Sequence, residues 1–227
     1  MPKKAKRFSK LKTTGVIAVA AAAIGGFFGL SFNGNKPINV PAYRAIRVID
    51  GDTFVTKENQ NIRLAGVDAP ELGLCGSEQA KKELEKLILD QDLYLKVIYH
   101  DSSREMAYVY NKDGLIDTTM AESGWVEIHG FSGLSLKEKA QLILMNLQAK
   151  KAGRGVYSQL CSQKTNPKNS QCVIKGNIES RGKKYHFPGC NLYNKVEVKL
   201  YHGDQWFCTE TEAKKAGFIK AGRCPEL

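Results

Sequence analysis

The feature that most constrains this sequence is a series of short hydrophobic alternations separated by tight turns. "YRAIRVID" alternates as a strand does, "DGDT" is a turn into "TFVTK", and "ENQN" is a hairpin turn into "IRLAGVD". Alternation with a period of two places hydrophobic side chains on one face of a sheet. Residues 43–68 are therefore predicted to form three consecutive short strands.

Two further strands and three helices are predicted after this region. "DLYLKVIYH" alternates again, and "EMAYVYNKDGLID" predicts a hairpin with Asp113–Gly114 in its turn. "SEQAKKELEKLILD" predicts a helix with Ser77 as its N-cap, and two later helices are expected to end at Gly124 and Gly153. About five strands with interleaved helices indicate an α+β fold, a five-stranded barrel of the OB type with about three helices.

The N-terminus has the pattern of a membrane anchor. Residues 1–12 hold six Lys/Arg and no acidic residue, and the 20 residues of 13–32 hold no charge. A helix of that length spans a bilayer, and the basic flank favours the cytoplasmic side. We expect a transmembrane helix, with the hydrophobic region of a cleaved signal peptide as the alternative. Residues 33–41 then form a linker to an extracytoplasmic remainder, which is secreted if the segment is cleaved.

Positive charge is unevenly distributed along the chain. The formal net charge is +11, but residues 40–161 hold 15 Lys/Arg against 17 Asp/Glu, whereas residues 172–227 hold ten against six. The net charge therefore does not by itself indicate a nucleic-acid groove in the predicted barrel. We divide the exported part into a barrel domain, 42–161, a linker, 162–171, and a small cysteine-rich domain, 172–227.

Six cysteines in an exported chain favour disulfide bonds. Cys75 and Cys161 lie in the barrel domain, where parity suggests one bridge. The last domain can hold up to two bridges or, with His186, a zinc ion, and its four cysteines are Cys172, Cys190, Cys208 and Cys224. No Cys-x-x-Cys pair occurs, so the usual zinc spacing is absent and zinc is the less favoured alternative.

An unusual group of charged residues lies in "DGDTFVTKENQNIRLAGVDAPE". Its acidic members Asp50, Asp52, Asp68 and Glu71 could face one point, close to Arg63. The odd spacing from 63 to 68 puts the two side chains on opposite faces of a regular strand, unless the strand is interrupted at Ala65–Gly66. Carboxylates that lie close together need a proton or a cation between them, and carboxylate oxygens favour calcium or magnesium.

Such a cluster has the groups that phosphodiester hydrolysis requires. A cation with free positions can hold a phosphate oxygen and a water, and Glu71 can orient or deprotonate that water. Arg63 and a second arginine can stabilise charge that builds on the phosphoryl group, with a bidentate geometry that Lys cannot match. Taken alone, each short motif is more often a solvated turn; the combination is what indicates a site.

Several motifs together resemble the thermonuclease family, the staphylococcal-nuclease-like domains. They are "VIDGDTF", "IRLAGVDAPE", "SEQAKKELEKLI", "REMAYVYNKDGLIDTTMAESGW" and "AQLILMNLQAKKAGRGVYS", and the resemblance runs from about Tyr43 to Tyr157. The family fold is an OB barrel with three helices, in agreement with the strand count. The resemblance implies hydrolysis of DNA and RNA with one bound calcium ion.

The resemblance also implies metal ligands. Asp52 and Asp68 resemble the calcium-binding carboxylates, and Ala69 would offer its backbone carbonyl to the ion. Asp50 is similar to an acid that lies beside the ligands. The family often has Thr where Ala69 stands, but a carbonyl ligand tolerates that change.

Three further residues resemble the catalytic groups of the family. Glu71 resembles the residue that acts on the attacking water, and Arg63 and Arg104 resemble the two phosphate-binding arginines. The family often has Tyr-Gly before the second arginine, where this chain has Ser102–Ser103. The tyrosines of the family's base pocket also have no clear match in "EIHGFSGLS", where His129 and Phe131 are the candidate substitutes.

Three functions compete. The first is a membrane-anchored, calcium-dependent nuclease, expected to be a monomer with no protein partner inferable. The second is an OB-fold module that has lost catalysis and only binds nucleic acid or protein, and the third is a domain that binds calcium for stability alone. Inactive copies are expected to lose acidic or arginine residues at the site, whereas this chain retains Asp52, Arg63, Asp68, Glu71 and Arg104. The first function is therefore favoured.

Overall fold

A computed structural model describes residues 42–100, 103–222 and 224–225. The predicted basic flank, transmembrane segment and linker, residues 1–41, lie outside the described residues. Among the residues that are described, no helix combines the length and hydropathy that a bilayer-spanning segment requires.

The first part of the described chain forms a closed sheet. Its strands are β1 (Ala45–Val48), β2 (Thr53–Thr56), β3 (Asn61–Leu64), β5 (Tyr94–His100), β6 (Glu105–Asn111) and β7 (Gly114–Leu115). Five of them follow the order β1-β2-β3-β6-β5, and β7 pairs with β6. The pairing of β3 with β6 is parallel and the other pairs are antiparallel.

Backbone hydrogen bonds close this sheet into a barrel. Tyr43 lies just before β1 and Leu93 just before β5. The Tyr43 amide donates to the Leu93 carbonyl at 2.8 Å, and the Leu93 amide donates to the Tyr43 carbonyl at 3.0 Å. The two ends of the strand order therefore meet, as the predicted OB-type barrel requires. A separate ladder of two residues a side joins β4 (Val67–Asp68) to β8 (Glu127–Ile128).

Three helices pack on the barrel, as the sequence predicted. They are α1 (Ser77–Ile88), α2 (Ile116–Ser123) and α3 (Leu136–Lys151). The prediction of Ser77 as N-cap is wrong, because Gly76 takes that position with a φ of 90° and Ser77 is the first, buried residue of the helix. Ser135 caps α3 through a reciprocal pair of hydrogen bonds with Glu138. Gly124 ends α2 with a φ of 79°, the conformation that favours glycine.

The hydrophobic core lies between the barrel and the helices. Strand residues such as Phe54, Ile62 and Leu64 are fully buried against helix residues such as Leu84 and Met120. Each fully buried side chain of this size contributes about 1.5–3 kcal/mol relative to an exposed one. The barrel is therefore a rigid platform for side chains at the ends of its strands.

A second region begins at residue 162. Ser162–Gln163, at the start of the predicted linker, form β9 and pair with β12 (Val198–Lys199). A four-stranded sheet follows, with the strands β10 (Ile174–Glu179), β11 (Gly182–His186), β13 (Gln205–Phe207) and β14 (Ile219–Lys220). The strand order is β13-β10-β11-β14, and the sheet packs against the short helix α4 (Glu210–Lys215).

All six cysteines form disulfide bonds, so the prediction of disulfides is confirmed. The pairs are Cys75–Cys161, Cys172–Cys208 and Cys190–Cys224. The ligand atoms of His186, Cys190 and Cys224 lie within 4.8 Å of one another, but both of these sulfurs belong to one disulfide. The structure therefore has the disulfide alternative rather than zinc at these cysteines.

Candidate active site

Asp52 lies at the centre of the predicted cluster. It follows the turn at Asp50–Gly51, is 1% exposed, and accepts hydrogen bonds from the Thr53 hydroxyl at 2.8 Å and the Ala69 amide at 2.8 Å. The Asp50 carboxylate accepts from the Asp52 amide at 3.1 Å, which fixes the turn. These contacts hold the buried carboxylate in one orientation.

Arg63 joins the two predicted metal ligands. Its Nη1 donates to Asp52 Oδ1 at 2.5 Å and its Nη2 donates to Asp68 Oδ1, so that one guanidinium bridges both carboxylates. The Arg63 side chain is 18% exposed, whereas that of Asp68 is 54% exposed. A positive group therefore does lie among the acidic residues, and it is Arg63 itself.

An interruption of the strand brings Arg63 and Asp68 to the same side. β3 ends at Leu64 and β4 begins at Val67, in a different sheet, as predicted for the break at Ala65–Gly66. The Gly66 amide donates to Asp117 Oδ1 at 2.7 Å, and a Cβ on Gly66 would approach that same oxygen to 2.8 Å. Glycine is therefore required where the chain bends.

Burial controls the charge of two carboxyl groups in this region. It raises the pKa of Asp52 to about 7, against the lowering effect of the Arg63 guanidinium. It also raises the pKa of Asp117 to about 7, although the Gly66 amide and other backbone N–H groups stabilise the ionised form. A second cation beside Asp52 would favour its ionised state.

The other predicted residues lie on exposed chain around these groups. Ala69 is half-buried, and its amide is used by Asp52; Glu71 is exposed on the turn that follows β4. Arg104 is exposed immediately before β6, whose Met106 is the register partner of Arg63. Residues two apart along a strand lie on the same face, so Arg104 lies on the face of Met106. That is also the face of Arg63, the register partner of Met106. Ser102 lies outside the described residues.

Comparison with known proteins agrees with this geometry. Residues 61–159 match the family described as staphylococcal nuclease homologue. These residues belong to the staphylococcal nuclease family. A curated relative, the thermonuclease of Staphylococcus hyicus, is 29% identical over 170 residues, which cover 64% of this chain and 97% of the relative. The chain is accordingly a nuclease, a hydrolase that acts on phosphodiester bonds of nucleic acids, with an OB-type α+β fold.

The nuclease domain has a cleft that is lined in part by the register partner of Arg63, Met106. Its volume is about 260 Å³, and its lining includes Tyr99, Met106, Tyr108 and His129. Tyr99 is 58% exposed, so an aromatic face is available there. Phe131, the other candidate substitute, packs against the main core instead.

Two residues of the nuclease domain that sequence reasoning missed contact the site's framework. Asp117 binds the Gly66 amide, and Glu127 is the register partner of Asp68 in the β4–β8 ladder. Asp117 had the sequence signature of an ordinary acid in the first turn of a helix, and Glu127 that of a surface acid. Asp117 and Gly66 are 51 residues apart in the sequence, and Glu127 and Asp68 are 59 residues apart, so no local pattern predicts either contact.

Proposed function

We propose that this chain is a calcium-dependent nuclease that hydrolyses both DNA and RNA, with Asp52, Asp68 and the Ala69 carbonyl as the ligands of one ion. The observation that carries the proposal is the guanidinium of Arg63 between the Asp52 and Asp68 carboxylates. Substrate phosphate and carboxylates compete for the same donors. When Arg63 turns towards a phosphate, two carboxylates, one of them buried, lose their positive partner.

The donor set fits a hard divalent cation. It consists of carboxylate and carbonyl oxygens, which calcium and magnesium prefer, and includes no nitrogen or sulfur. The exposed Asp68 leaves this side of the site open to solvent and substrate, whereas Asp52 is enclosed. When bound, calcium would supply positive charge beside the phosphate and hold a water for attack.

The chain's own residues then act on the phosphodiester. Arg63 and Arg104 bind phosphate oxygens in a bidentate manner and stabilise the charge of the transition state. Glu71 lies on exposed chain three residues after Asp68 and orients or deprotonates the attacking water. Asp50 keeps the turn that carries Asp52 in place. The base next to the scissile bond stacks on Tyr99 in the cleft, because every base offers a π-face.

We further propose that residues 13–32 anchor the nuclease, as a monomer, on the extracytoplasmic side of the cell membrane. The support is the uncharged 20-residue segment after a basic flank, together with six paired cysteines. Disulfides persist in oxidising compartments. Fractionation of cells before and after alkaline washing tests the anchor, because a cleaved form would be found in the medium.

The second candidate, a binding module without catalysis, explains less of the site. A module that only binds nucleic acid would need the arginines, but it would not need a buried Asp52 whose two hydrogen bonds and ion pair with Arg63 fix its orientation. A domain that binds calcium for stability alone would not need Arg63 between the ligands. Catalysis uses all of these groups together.

Digestion of single-stranded DNA and of RNA by the full chain tests the proposal. We expect cleavage with calcium, none after chelation, and recovery when calcium is restored. Glu71→Gln should lower turnover by about 100- to 1,000-fold, in keeping with the loss of one transition-state contact. Glu58→Gln, the same change on the exposed turn between β2 and β3, is the matched control. Cleavage that persists in chelator would contradict the proposal.

A further inference from the structure

The ladder that carries Asp68 is very short. β4 and β8 contribute two residues each, and Asp68 is the register partner of Glu127. Side chains directly opposite in an antiparallel pair lie on the same face, with Cβ atoms about 4.5–5.5 Å apart. A two-stranded ladder of this kind is marginal without outside support. The conformation of Asp68 therefore depends in part on what holds Glu127.

Three residues from the C-terminal region hold the Glu127 carboxylate. The Tyr201 hydroxyl donates to Oε1 at 3.0 Å, His202 Nε2 lies 2.6 Å from Oε2, and Lys199 Nζ is 3.8 Å from Oε1. Both carboxylate oxygens thus have a partner more than 70 residues away along the chain. We name residues 199–202 the Glu127 clamp.

The Glu127 clamp is itself fixed to the nuclease domain. Tyr201 is 3% exposed, and its ring packs in a cluster with Val156 and Cys161, against Trp125 and Tyr157. The Leu200 amide donates to the Cys161 carbonyl at 2.8 Å. This arrangement has the rigidity that a positioning element needs, since a buried aromatic ring places the hydroxyl at a defined point.

Other contacts hold the chain on either side of Asp68 and at both ends of β8. Just before β8, the Tyr157 hydroxyl donates to the Val126 carbonyl at 3.3 Å. Gly66 is tied to Asp117 and accepts from the His129 amide at 2.8 Å, and the Ala69 amide donates to Asp52. The Glu127 side chain, opposite Asp68, is held by the clamp. Loss of the clamp would thus release this side chain and loosen the ladder around Asp68, while leaving Asp52 and Arg63 in place.

We propose that the Glu127 clamp of the C-terminal region positions Asp68 for metal binding, so that this region acts as a built-in support of the nuclease site. The inference rests on the proposed role of Asp68 as a calcium ligand. Tyr201 and His202 are positioning residues, because they act through Glu127 and β8. The C-terminal region then contributes to metal affinity without touching substrate or metal.

The test compares the Tyr201→Phe/His202→Phe variant of the full chain with Tyr185→Phe. The clamp variant keeps an aromatic ring at both positions and removes the Tyr201 hydroxyl and the His202 nitrogens that contact Glu127. Tyr185→Phe is the matched control, because it removes a Tyr–Glu hydrogen bond of 2.6 Å, to Glu210, inside the C-terminal region itself. The readouts are the calcium concentration for half-maximal cleavage, the turnover at saturating calcium, and calcium binding without nucleic acid.

We expect the clamp variant to need roughly 3- to 10-fold more calcium, a smaller loss than the 10–100-fold usual for groups bonded directly to a ligand. Turnover at saturating calcium should stay within about twofold of the parent, as for loss of uniform binding rather than of transition-state contacts. Tyr185→Phe should show the parent's calcium dependence. Tyr201→Phe/His202→Gln, whose new amide can donate to the same oxygen as His202, should need less calcium than the clamp variant.

A double-mutant cycle with Glu127 distinguishes a positioning role of the clamp from general destabilisation of the chain. Adding Glu127→Ala to the clamp variant should raise the calcium requirement no further than Glu127→Ala alone, because both changes remove one interaction. A calcium dependence equal to that of Tyr185→Phe, or additive effects, would overturn the inference and leave the nuclease proposal intact. If the parent chain itself neither binds calcium nor needs it, the proposed function fails first. Should the double variant not fold, the single Tyr201→Phe change is compared in the same way.

Discussion

The nuclease domain buries a large apolar core between a closed barrel and three helices, whereas the C-terminal region buries a small one between a four-stranded sheet and a helix of six residues. The nuclease domain contains one disulfide for about 120 residues, and the C-terminal region has two for about 55. Small domains cannot bury enough surface to be stable by packing alone. The difference indicates that one region is held by its core and the other by its cross-links.

The two regions also differ in what they contribute to the proposed metal site. The buried and bridged carboxylates of the proposed metal site belong to the nuclease domain, and the described part of the C-terminal region contacts Glu127, the register partner of Asp68. Burial by itself would raise the pKa of Glu127. The hydrogen bond from His202 and the charge of Lys199 outweigh burial and lower this pKa to about 2. Four predictions, from the largest expected effect to the smallest, test this division.

Replacing one arginine in each region should give very different results. Arg63→Lys keeps the charge but loses the fork that bridges Asp52 and Asp68 and is proposed to bind phosphate. We expect cleavage of single-stranded DNA to fall by about 100- to 10,000-fold, as for loss of a transition-state contact of about 3–5 kcal/mol. The same change at exposed Arg181 should leave the rate within about twofold. Comparable losses in both variants would mean that Arg63 has no special role.

Removing a cross-link should affect the C-terminal region far more than the barrel. The Cys172–Cys208 bridge closes a loop of 36 residues, and its loss in Cys172→Ser/Cys208→Ser should cost about 2–4 kcal/mol. The chain has two tryptophans, Trp125 in the nuclease domain and Trp206 in the C-terminal region. Urea unfolding followed by fluorescence in Trp125→Phe and Trp206→Phe backgrounds reads each region separately. Equal shifts of both midpoints would show that the regions unfold as one unit.

Asp117→Asn should stabilise the nuclease domain above neutral pH. Burial raises the pKa of Asp117 from 3.8 to about 7, so the proton is bound more tightly in the folded chain. The stability that this gives is fully present below pH 3.8 and is lost as pH rises through 7. Asparagine keeps the acceptor for the Gly66 amide without the buried charge. At pH 8 we expect a gain of roughly 2 kcal/mol over the parent, by urea unfolding, and little difference at pH 4. A loss at pH 8 would mean that the ionised form is required.

An exposed ion pair in the nuclease domain should matter least. Arg44 and Asp92 lie 2.7 Å apart, but their side chains are 42% and 56% exposed, against 18% for Arg63. Solvent screens such a pair, which contributes about 0–1 kcal/mol. Arg44→Ala should therefore change the urea midpoint slightly and leave calcium-dependent cleavage unchanged. A loss of activity would show that arginines outside the bridged cluster also act on substrate.

Local patterns in the sequence were sufficient for the barrel. Alternation and turn residues predict the strands from Ala45 to Leu64, and Gly124 marks the end of a helix because its φ of 79° favours glycine. The same local logic failed at Ser77, where a buried helix start beside a disulfide-linked turn gave the cap position to Gly76. Propensity describes isolated helices, and tertiary packing overrides it.

The candidate site was predictable where its residues are close in sequence. Asp52, Arg63 and Asp68 lie within 17 residues of one another, and the break at Ala65–Gly66 was expected from their spacing. Contacts made over long separations were not predictable. Glu127 meets His202 across 75 residues, and the cysteine pairing is likewise set by the folded chain, since sequence alone allows several connectivities.

Calorimetric titration of calcium into the full chain, without nucleic acid, tests the central claim most directly. We predict that one ion binds to the parent chain and to Asp113→Asn, an equally conservative change in the exposed β6–β7 turn. Asp68→Asn should weaken binding by at least about 10-fold, because a carboxylate ligand is lost. Absence of binding in the parent, or the same affinity in Asp68→Asn and Asp113→Asn, would contradict a metal site at Asp52 and Asp68.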